Sequence, residues 1–188
     1  LHFIEGCSAP KYNVANLHAG AVELFVGKRA KLRYSTIENW SKNMYNLNTK
    51  RAIVDEGGAI EWVSGSFGSH VGYLYPMSIL SGKKSTCTFT GITFAGAGQN
   101  LDTGCKVVLN APDTSAAIET KSISKGGGIS TFRSSVVATK KAEGSAASVS
   151  CQSLMLDDMS RSDTIPTMDI RCKNVDIGHE ATIGRIGD

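Results

Sequence analysis

From Ala21 onward the chain alternates apolar and polar residues in short runs that end at glycine or small polar turns. The runs are rich in Thr, Ser, Val and Ile, the side chains that pack well on pleated strands. No segment holds a helical period of 3.6 residues for more than two turns, so helices are not expected. Strands are predicted at Ala30–Thr36, Ala59–Val63, Cys87–Phe94, Lys106–Asn110, Ala117–Ser124, Ser130–Thr139, Ala147–Leu156 and Met168–Cys172.

A turn followed by a small residue and an alternating strand recurs along the chain. Six copies are visible, the third of them weaker: Gly27–Leu32, Gly57–Trp62, Gly82–Cys87, Asp113–Ile118, Gly144–Val149 and Lys173–Ile177. Successive copies are roughly 25 to 31 residues apart, a spacing typical of solenoid repeats. Because one coil cannot bury its own inner face, stacked coils would share a single core. The pattern predicts an all-β solenoid, and a β-sandwich remains the alternative.

The repeat implies a register between its last two copies. Aligning Ala146 with Val175 sets Cys151 against Glu180. Equivalent residues of adjacent coils lie about 4.8 Å apart, or about twice that distance if each repeat holds two coils. In the closer arrangement a thiolate and a carboxylate could share one metal ion.

The same alignment sets His179 against Ser150. Neighbouring residues on a strand point to opposite faces, so His179 and Glu180 would serve one site only if the chain bulged, which Gly178 would permit. A thiol, an imidazole and a carboxylate together suit iron and sulfur chemistry. Taken singly, these residues would more simply be a core cysteine, a surface histidine and a solvated carboxylate.

The five cysteines indicate a reducing compartment. They are odd in number, widely spaced and without a Cys-x-x-Cys pair, which argues against a disulfide scaffold and a zinc ribbon. The first of them, Cys7, lies in Ile4–Pro10, which we interpret as a compact turn. On composition alone it would be a small buried residue at a bend.

Composition sets the broad class. With 188 residues, 41% of them hydrophobic and 20% charged, the chain suits one soluble domain with a sizeable core. A net charge of +3 is too small and dispersed to indicate nucleic acid. No apolar run reaches the ~18 residues of a membrane span, and no signal peptide is visible. Since the chain begins at Leu1 rather than methionine, we expect it to be part of a longer protein.

The sequence also bears on two other functions, phosphate binding and carbohydrate cleavage. The glycine-containing segments Gly96–Gly98, Asp102–Gly104 and Gly126–Gly128 are predicted turns, because none has the strand–loop–helix setting of a phosphate loop. The acidic residues are scattered, with no clear pair of carboxylates beside an arginine, which disfavours a carbohydrate-cleaving β-helix enzyme. That lyase or hydrolase and a purely structural β-solenoid remain the alternatives.

Several longer motifs occur together in the chain and span nearly all of it: Glu5–Pro10, Tyr34–Trp40, Tyr45-Asn46, Thr49–Arg51, Asp102–Gly104 and Gly178–Gly184. In this order they resemble the core domain of the SufB/SufD family, which belongs to the SUF machinery for iron–sulfur cluster assembly. The resemblance covers residues 1–188 as one domain. It implies a right-handed parallel β-helix whose flanking N- and C-terminal helical segments are absent from this chain.

The resemblance also implies roles for particular residues. Cys151 corresponds to the sulfur acceptor and nascent-cluster ligand, and His179 and Glu180 to residues that hold iron or the cluster. Cys7 corresponds to the cysteine that first receives sulfur from a desulfurase system. Further residues, Trp40 and Lys50, match positions that line a sulfur route through the β-helix. The two cysteines favour the SufB branch of the family over the SufD branch.

By the same resemblance the chain would be an assembly scaffold rather than an enzyme, in the cytoplasm or a plastid-type organelle. It would hold a transient iron–sulfur cluster, with iron. Its partners would be the ATPase SufC, a SufD or second SufB subunit, a sulfur donor of the SufE/SufU–SufS type and apo iron–sulfur proteins. It would bind neither nucleic acid nor a membrane. The chain departs from some relatives at Glu38, where they have glutamine, and at Gly178, where others have glutamate.

Overall fold

The computed structural model describes residues 1–11 and 13–186, and that part of the chain consists of thirteen β-strands without a helix. It accordingly holds no helix of the length and apolarity that a membrane span needs. The strands are β1 (His2–Ser8), β2 (Asn16–Val26), β3 (Lys31–Asn39), β4 (Met44–Val54), β5 (Ala59–Ser66), β6 (Val71–Leu80), β7 (Thr86–Ala95), β8 (Asn100–Leu109), β9 (Ser115–Ser124), β10 (Ile129–Ala138), β11 (Ser145–Met155), β12 (Arg161–Ile170) and β13 (Val175–Arg185).

The strands form two parallel sheets. Sheet A contains seven strands in the order β1-β3-β5-β7-β9-β11-β13, and sheet B contains six in the order β12-β10-β8-β6-β4-β2. Odd-numbered strands belong to sheet A and even-numbered strands to sheet B, so each coil contributes one strand to each sheet. The predicted parallel β-solenoid is confirmed, and one repeat corresponds to one coil. An antiparallel sandwich is excluded for these strands, because every pairing between them is parallel.

The recurring turn is the corner where the chain passes from sheet B to sheet A. Five of these six corners each contain one residue with a positive φ, and the N–H of that residue donates to a carbonyl of the next coil's corner. Glycine adopts this left-handed conformation freely, whereas other side chains pay a steric cost that the stacked hydrogen bonds must offset. The residues concerned are Arg29, Gly57, Lys84, Asp113 and Gly144.

The interior between the sheets has an apolar half and a polar half. Near the corner just described, a ladder of inward-facing residues runs through sheet B as Val26, Val54, Leu80, Leu109 and Ala138. All five are at most 4% exposed and belong to the hydrophobic core. Toward the opposite corner the inward-facing residues of sheet A are mostly serine and threonine. This unequal division determines where chemistry can occur inside the solenoid.

Two local predictions were wrong. Residues around Cys7 form strand β1 rather than a compact turn, because they pair in parallel with β3. Asp102–Gly104 lies within β8 rather than in a turn. On the outer face of sheet B, Asp102 accepts two hydrogen bonds from Arg133 at 3.0 and 2.9 Å and one from Tyr75, which explains polar residues in the middle of that strand.

Candidate functional site

Cys151 lies on β11 with its side chain toward the interior. Burial alternates along this strand, and the thiol belongs to the buried set with 2% exposure. Burial raises the pKa of Cys151 to about 11, because a thiolate is poorly solvated there. Its Sγ lies 3.9 Å from Nε2 of His179 on the neighbouring strand β13. The structure therefore brings a thiol and an imidazole together on the inner face.

The register predicted for these two strands was wrong by one residue. Cys151 pairs with Ala181, while Glu180 pairs with Ser150 and His179 with Val149. A shift of one residue moves every side chain to the other face of a strand. As a result His179 shares the inner face with Cys151, diagonally across from it, and the exposed Glu180 lies on the outer face. Pairing continues unbroken through β13, so Gly178 introduces no bulge.

The donor set near Cys151 is small. In the described residues no three His, Cys, Asp or Glu side chains are grouped so that they could hold a metal ion. Thiolate and imidazole are both suitable ligands for iron and iron–sulfur species. Two ligands from this chain leave coordination positions for other groups. Cys151 and His179 lie on β11 and β13, the last two strands of sheet A among the described residues.

A second cluster surrounds Cys7 near the other end of the solenoid. Glu5, on the same inner face of β1, forms an ion pair with Lys50. The side chain of Lys50 is only 3% exposed, and its Nζ also donates to Oγ1 of Thr36 at 2.7 Å. Tyr34 donates to Glu5 at 3.1 Å, and Lys50 lies over the Tyr34 ring. The buried cation is therefore fully engaged by a carboxylate, a hydroxyl and an aromatic face.

Glu38 forms a separate network next to this ion pair. It is 3% exposed, and its two carboxylate oxygens accept hydrogen bonds of 2.8 Å from the side-chain amides of Asn46 and Asn48. Asn46 in turn lies 2.8 Å from Nδ1 of His18, whose ring packs on Trp40 at 4.6 Å. The predicted route residues Trp40 and Lys50 thus both belong to the cluster around Cys7, and neither is near Cys151.

The ionisable groups at this end perturb one another. Burial raises the pKa of Cys7 to about 11, with help from the negative charges of Glu5 and Glu38. For Glu5, burial alone would raise the pKa, but the hydrogen bond and charge of Lys50 outweigh it and hold the pKa below the usual range. Burial raises the pKa of Glu38 despite hydrogen bonds from its two asparagines. The two carboxylates are therefore shifted in opposite directions.

Two rows of register-paired, mostly polar residues run along the inner face of sheet A. These rows, here called the polar ladders, connect the Cys7 end of the solenoid with the Cys151 end. One runs from Cys7 through Glu38, Ser66, Thr93 and Ser122 to Ser153. The other runs from Glu5 through Thr36, Ser64, Gly91 and Thr120 to Cys151. Five strand spacings separate β1 from β11, which corresponds to about 24 Å. Hydroxyl groups thus line the interior between the two thiols.

Several residues of the Cys7 cluster were not predicted to be functional from sequence. Glu5 and Thr36 appeared only as members of motifs, Glu38 was noted only as a departure from relatives with glutamine, and Asn48 was not singled out. A signal was present: Asn46, Asn48 and Lys50 alternate along one strand with the apolar or aromatic residues Tyr45 and Leu47. Such alternation ordinarily indicates that the polar side chains face the solvent. In β4 the polar side chains are instead buried and face the interior.

Comparison with known proteins identifies a family. Residues 1–188 match the family described as SUF system FeS cluster assembly, SufBD core domain. The chain is 44% identical over 188 residues to an iron–sulfur cluster assembly SufBD family protein of Mycobacterium leprae, a match that covers 100% of this chain and 22% of that protein. A protein of the same description from Staphylococcus saprophyticus is 42% identical over 188 residues, with 100% of this chain and 40% of that protein covered. The chain thus spans less than half the length of these relatives.

Proposed function

Since the chain belongs to the SufBD core domain family of iron–sulfur cluster assembly, we propose that it acts as a SufB-type scaffold rather than as a turnover enzyme. Sulfur arrives at Cys7, and a nascent cluster forms at Cys151. The observation that supports this best is the inward-facing Cys151 thiol with the His179 imidazole 3.9 Å away. The family match gives no support to a carbohydrate-acting enzyme or to a purely structural solenoid.

The SufB-type assignment rests on the two cysteines. Cys7 and Cys151 stand at positions that the resemblance associates with sulfur handling, and each lies on an inner face at one end of the polar ladders. All five cysteines of the chain are free thiols. Free thiols suit persulfide chemistry, and they support placing the protein in the cytoplasm or a plastid-type organelle.

Sulfur transfer to Cys7 is a thiol exchange. The Cys7 thiolate attacks the outer sulfur of a donor persulfide, the donor S–S bond breaks, and a new S–S bond forms on Cys7. The donor leaves as a thiolate, so the step needs no oxidant or reductant. Sulfur then leaves Cys7 by further thiol exchange, in which a small carrier thiolate attacks the outer sulfur of the Cys7 persulfide and Cys7 departs as a thiolate. A second exchange transfers the sulfur from the carrier to the Cys151 thiolate and releases the carrier as a thiolate, and Trp40 and Lys50 line the first part of this proposed route. Reduction of the delivered sulfur to sulfide requires a two-electron donor from outside the chain.

Iron is substrate in this scheme. Binding iron requires Cys151 as thiolate, so the metal displaces the thiol proton, and His179 supplies a harder nitrogen ligand from the same face. Glu180 is retained as a proposed third ligand, although it would have to reach the cluster from the outer face of the last strand. Mixed ligation by few groups would hold a cluster less tightly than four thiolates, which suits a scaffold that must release its product.

The partners follow from the same proposal. A SufD or second SufB subunit would complete the site at the edge that β13 forms among the described strands of sheet A. SufC would supply ATP hydrolysis, a SufE/SufU–SufS system would supply persulfide, and apo iron–sulfur proteins would receive the cluster. The exposed ends of the inner face, including Ile183 and Met168 at 51% and 39% exposure, provide apolar surface for contact at that edge.

Anaerobic reconstitution tests the proposal. The full-length protein and its Cys151→Ser variant are incubated with iron and sulfide, and charge-transfer absorbance in the visible range is followed. We expect bands in the wild type that are lost in Cys151→Ser. Cys172→Ser serves as the matched control, because Cys172 is also a free thiol at this end of the solenoid but lies at the partly exposed corner before β13. Bands of equal strength in the Cys151 variant would refute a cluster at this site.

A further inference from the structure

Cys7 needs a proton acceptor before it can act as a nucleophile. With a pKa of about 11, only about one thiol in ten thousand is ionised at neutral pH. The titratable side chains on the inner face around it are Glu5 from β1, His18 from β2, Tyr34 and Glu38 from β3 and Lys50 from β4. The charges of Glu5 and Glu38 raise the pKa of the thiol, the charge of Lys50 lowers it, and Glu5 also shares a hydrogen bond with the thiol.

The two carboxylates are held in different ways. Glu5 is bound by the Lys50 ammonium and by the hydroxyls of Tyr34 and Thr36. It therefore stays ionised, and its lowered pKa makes it a weak base. Its negative charge stabilises the buried lysine. This arrangement suits a fixed counter-ion rather than a group that gains and loses a proton.

Glu38 has the opposite character. It is the register partner of Cys7 on the adjacent strand, and both side chains occupy the inner face. Its oxygens accept hydrogen bonds from two neutral amides, which favour the ionised form, but it has no ion pair of the kind that binds Glu5 to Lys50. Burial raises its pKa, which makes its ionised form a stronger base than Glu5. A carboxylate whose pKa is raised, placed beside a thiol of high pKa, has the properties of a general base.

We propose that Glu38 accepts the Cys7 proton as the sulfur attacks the donor persulfide. The inference rests on the sulfur-acceptor role proposed above for Cys7. As the new S–S bond forms, the thiol proton moves to a Glu38 oxygen and the donor S–S bond breaks. The donor departs as a thiolate, which then takes the proton from Glu38. Protons and electrons balance, and no further reactant is needed beyond the protein-bound or small-molecule persulfide.

The test compares two reactions of the same thiol in the full-length protein. Sulfur acceptance is measured as persulfide formation on the Cys7 peptide by mass spectrometry with glutathione persulfide as donor, from pH 6 to pH 9. Intrinsic thiolate content is measured as alkylation of Cys7 by iodoacetamide. Glu38→Gln keeps the size of the side chain and removes the base. Glu61→Gln removes an outward-facing carboxylate of β5 that pairs with Arg33, and is the matched control.

In Glu38→Gln the two reactions should move in opposite directions. Alkylation should accelerate, because a negative charge that raises the Cys7 pKa is gone. Persulfide formation at pH 7 should slow by about tenfold or more, and its rate should rise more steeply with pH, since only preformed thiolate can react. Glu61→Gln should match the wild type in both assays. A role of Glu38 in packing alone would not produce a faster alkylation together with a slower transfer.

Two results would overturn the inference. If Glu38→Gln accepts sulfur at the wild-type rate or faster, with the same pH profile, then Glu38 is not the base, while the scaffold function is untouched. If wild-type Cys7 accepts no sulfur, the proposed route through Cys7 is wrong and the inference is wrong with it. Cluster reconstitution at Cys151 is measured separately. It therefore distinguishes a failure of the Glu38 inference from a failure of the proposed scaffold function.

Discussion

The two ends of the solenoid present the same thiol chemistry in different surroundings. Cys7 and Cys151 both face the interior, and each has a pKa of about 11. At Cys7 the pKa reflects burial together with two carboxylates and an opposing lysine. At Cys151 burial alone raises it, and Nε2 of His179 lies 3.9 Å from the thiol. Similar pKa values therefore arise from burial within a charged network at one end and from burial alone at the other.

This difference indicates how each thiol is activated. A thiol among ionised groups can lose its proton to a neighbouring base, which suits exchange with a persulfide. A buried thiol with a nitrogen ligand nearby loses its proton most readily when a metal ion binds, because the metal itself compensates the charge. The contrast supports sulfur acceptance at one end and cluster formation at the other.

The largest expected effect comes from removing the buried cation at the Cys7 end. Lys50→Met should destabilise the fold by about 2 kcal/mol, because Glu5 loses its charge partner in a mostly buried site. Urea unfolding of the full-length protein measures the change. Lys121→Met removes a lysine from an ion pair whose side chains are 57% and 56% exposed, and should cost less than about 0.5 kcal/mol. Equal shifts in both variants would show that the Lys50 network adds no stability.

At the other end the expected effect is on cluster binding. His179→Ala should weaken iron and cluster retention by roughly tenfold, since it removes the ligand beside Cys151. Chelator competition after reconstitution measures the loss, and sulfur acceptance at Cys7 should be unchanged. His70→Ala is a suitable control, because that imidazole contacts the carbonyl of Gly98 at a corner far from Cys151.

Glu180→Gln, examined in the same competition assay, addresses the third proposed ligand. A loss as large as that of His179→Ala would show that the carboxylate reaches the cluster from the outer face. That outcome would require the last strand or a partner subunit to bring Glu180 toward Cys151. Retention as in the wild type would restrict the ligands from this chain to the thiolate and the imidazole.

The smallest expected effect is on the pH dependence of stability, and it should have opposite signs for the two carboxylates. Glu5 has a folded pKa below 4.5, so its ionisation stabilises the fold above that value, and the penalty of Glu5→Gln should vanish as pH falls. Glu38 has a folded pKa above 4.5, so its ionisation destabilises the fold as pH rises. Glu38→Gln should therefore gain stability relative to the wild type between pH 4 and pH 8. The free energy of unfolding of each variant is measured against pH. The same pH dependence in Glu5→Gln and Glu38→Gln would contradict pKa shifts of opposite sign.

Several features could be predicted from the sequence because they depend on local pattern. The turn before each strand of sheet A recurs since the corner needs a left-handed residue, and glycine or a short polar side chain supplies it at Gly57, Asp113 and Gly144. Alternation along β11 likewise indicated that Cys151 and Val149 share one face. The solenoid, its repeat and the family resemblance follow from such features.

Other features were decided only by tertiary structure. The alignment of Ala146 with Val175 differed from the true pairing of Ser145 with Val175 by one residue, because corners of unequal length shift the register between coils. That single residue moved Glu180 to the outer face and His179 to the inner one. Sequence alternation separates two faces but does not state which is buried when both contain polar residues, as in β4.

By itself, then, the sequence determined the stacking of coils, because turn geometry and strand alternation are local. It also carries the family resemblance on which the proposed roles of Cys7 and Cys151 rest. The tertiary structure decided which neighbours those cysteines have. Cys7 faces Glu38, and Cys151 faces His179, only through contacts between strands some thirty residues apart. Such contacts depend on the register between coils, and register is fixed by the packing of the whole inner face rather than by any one strand.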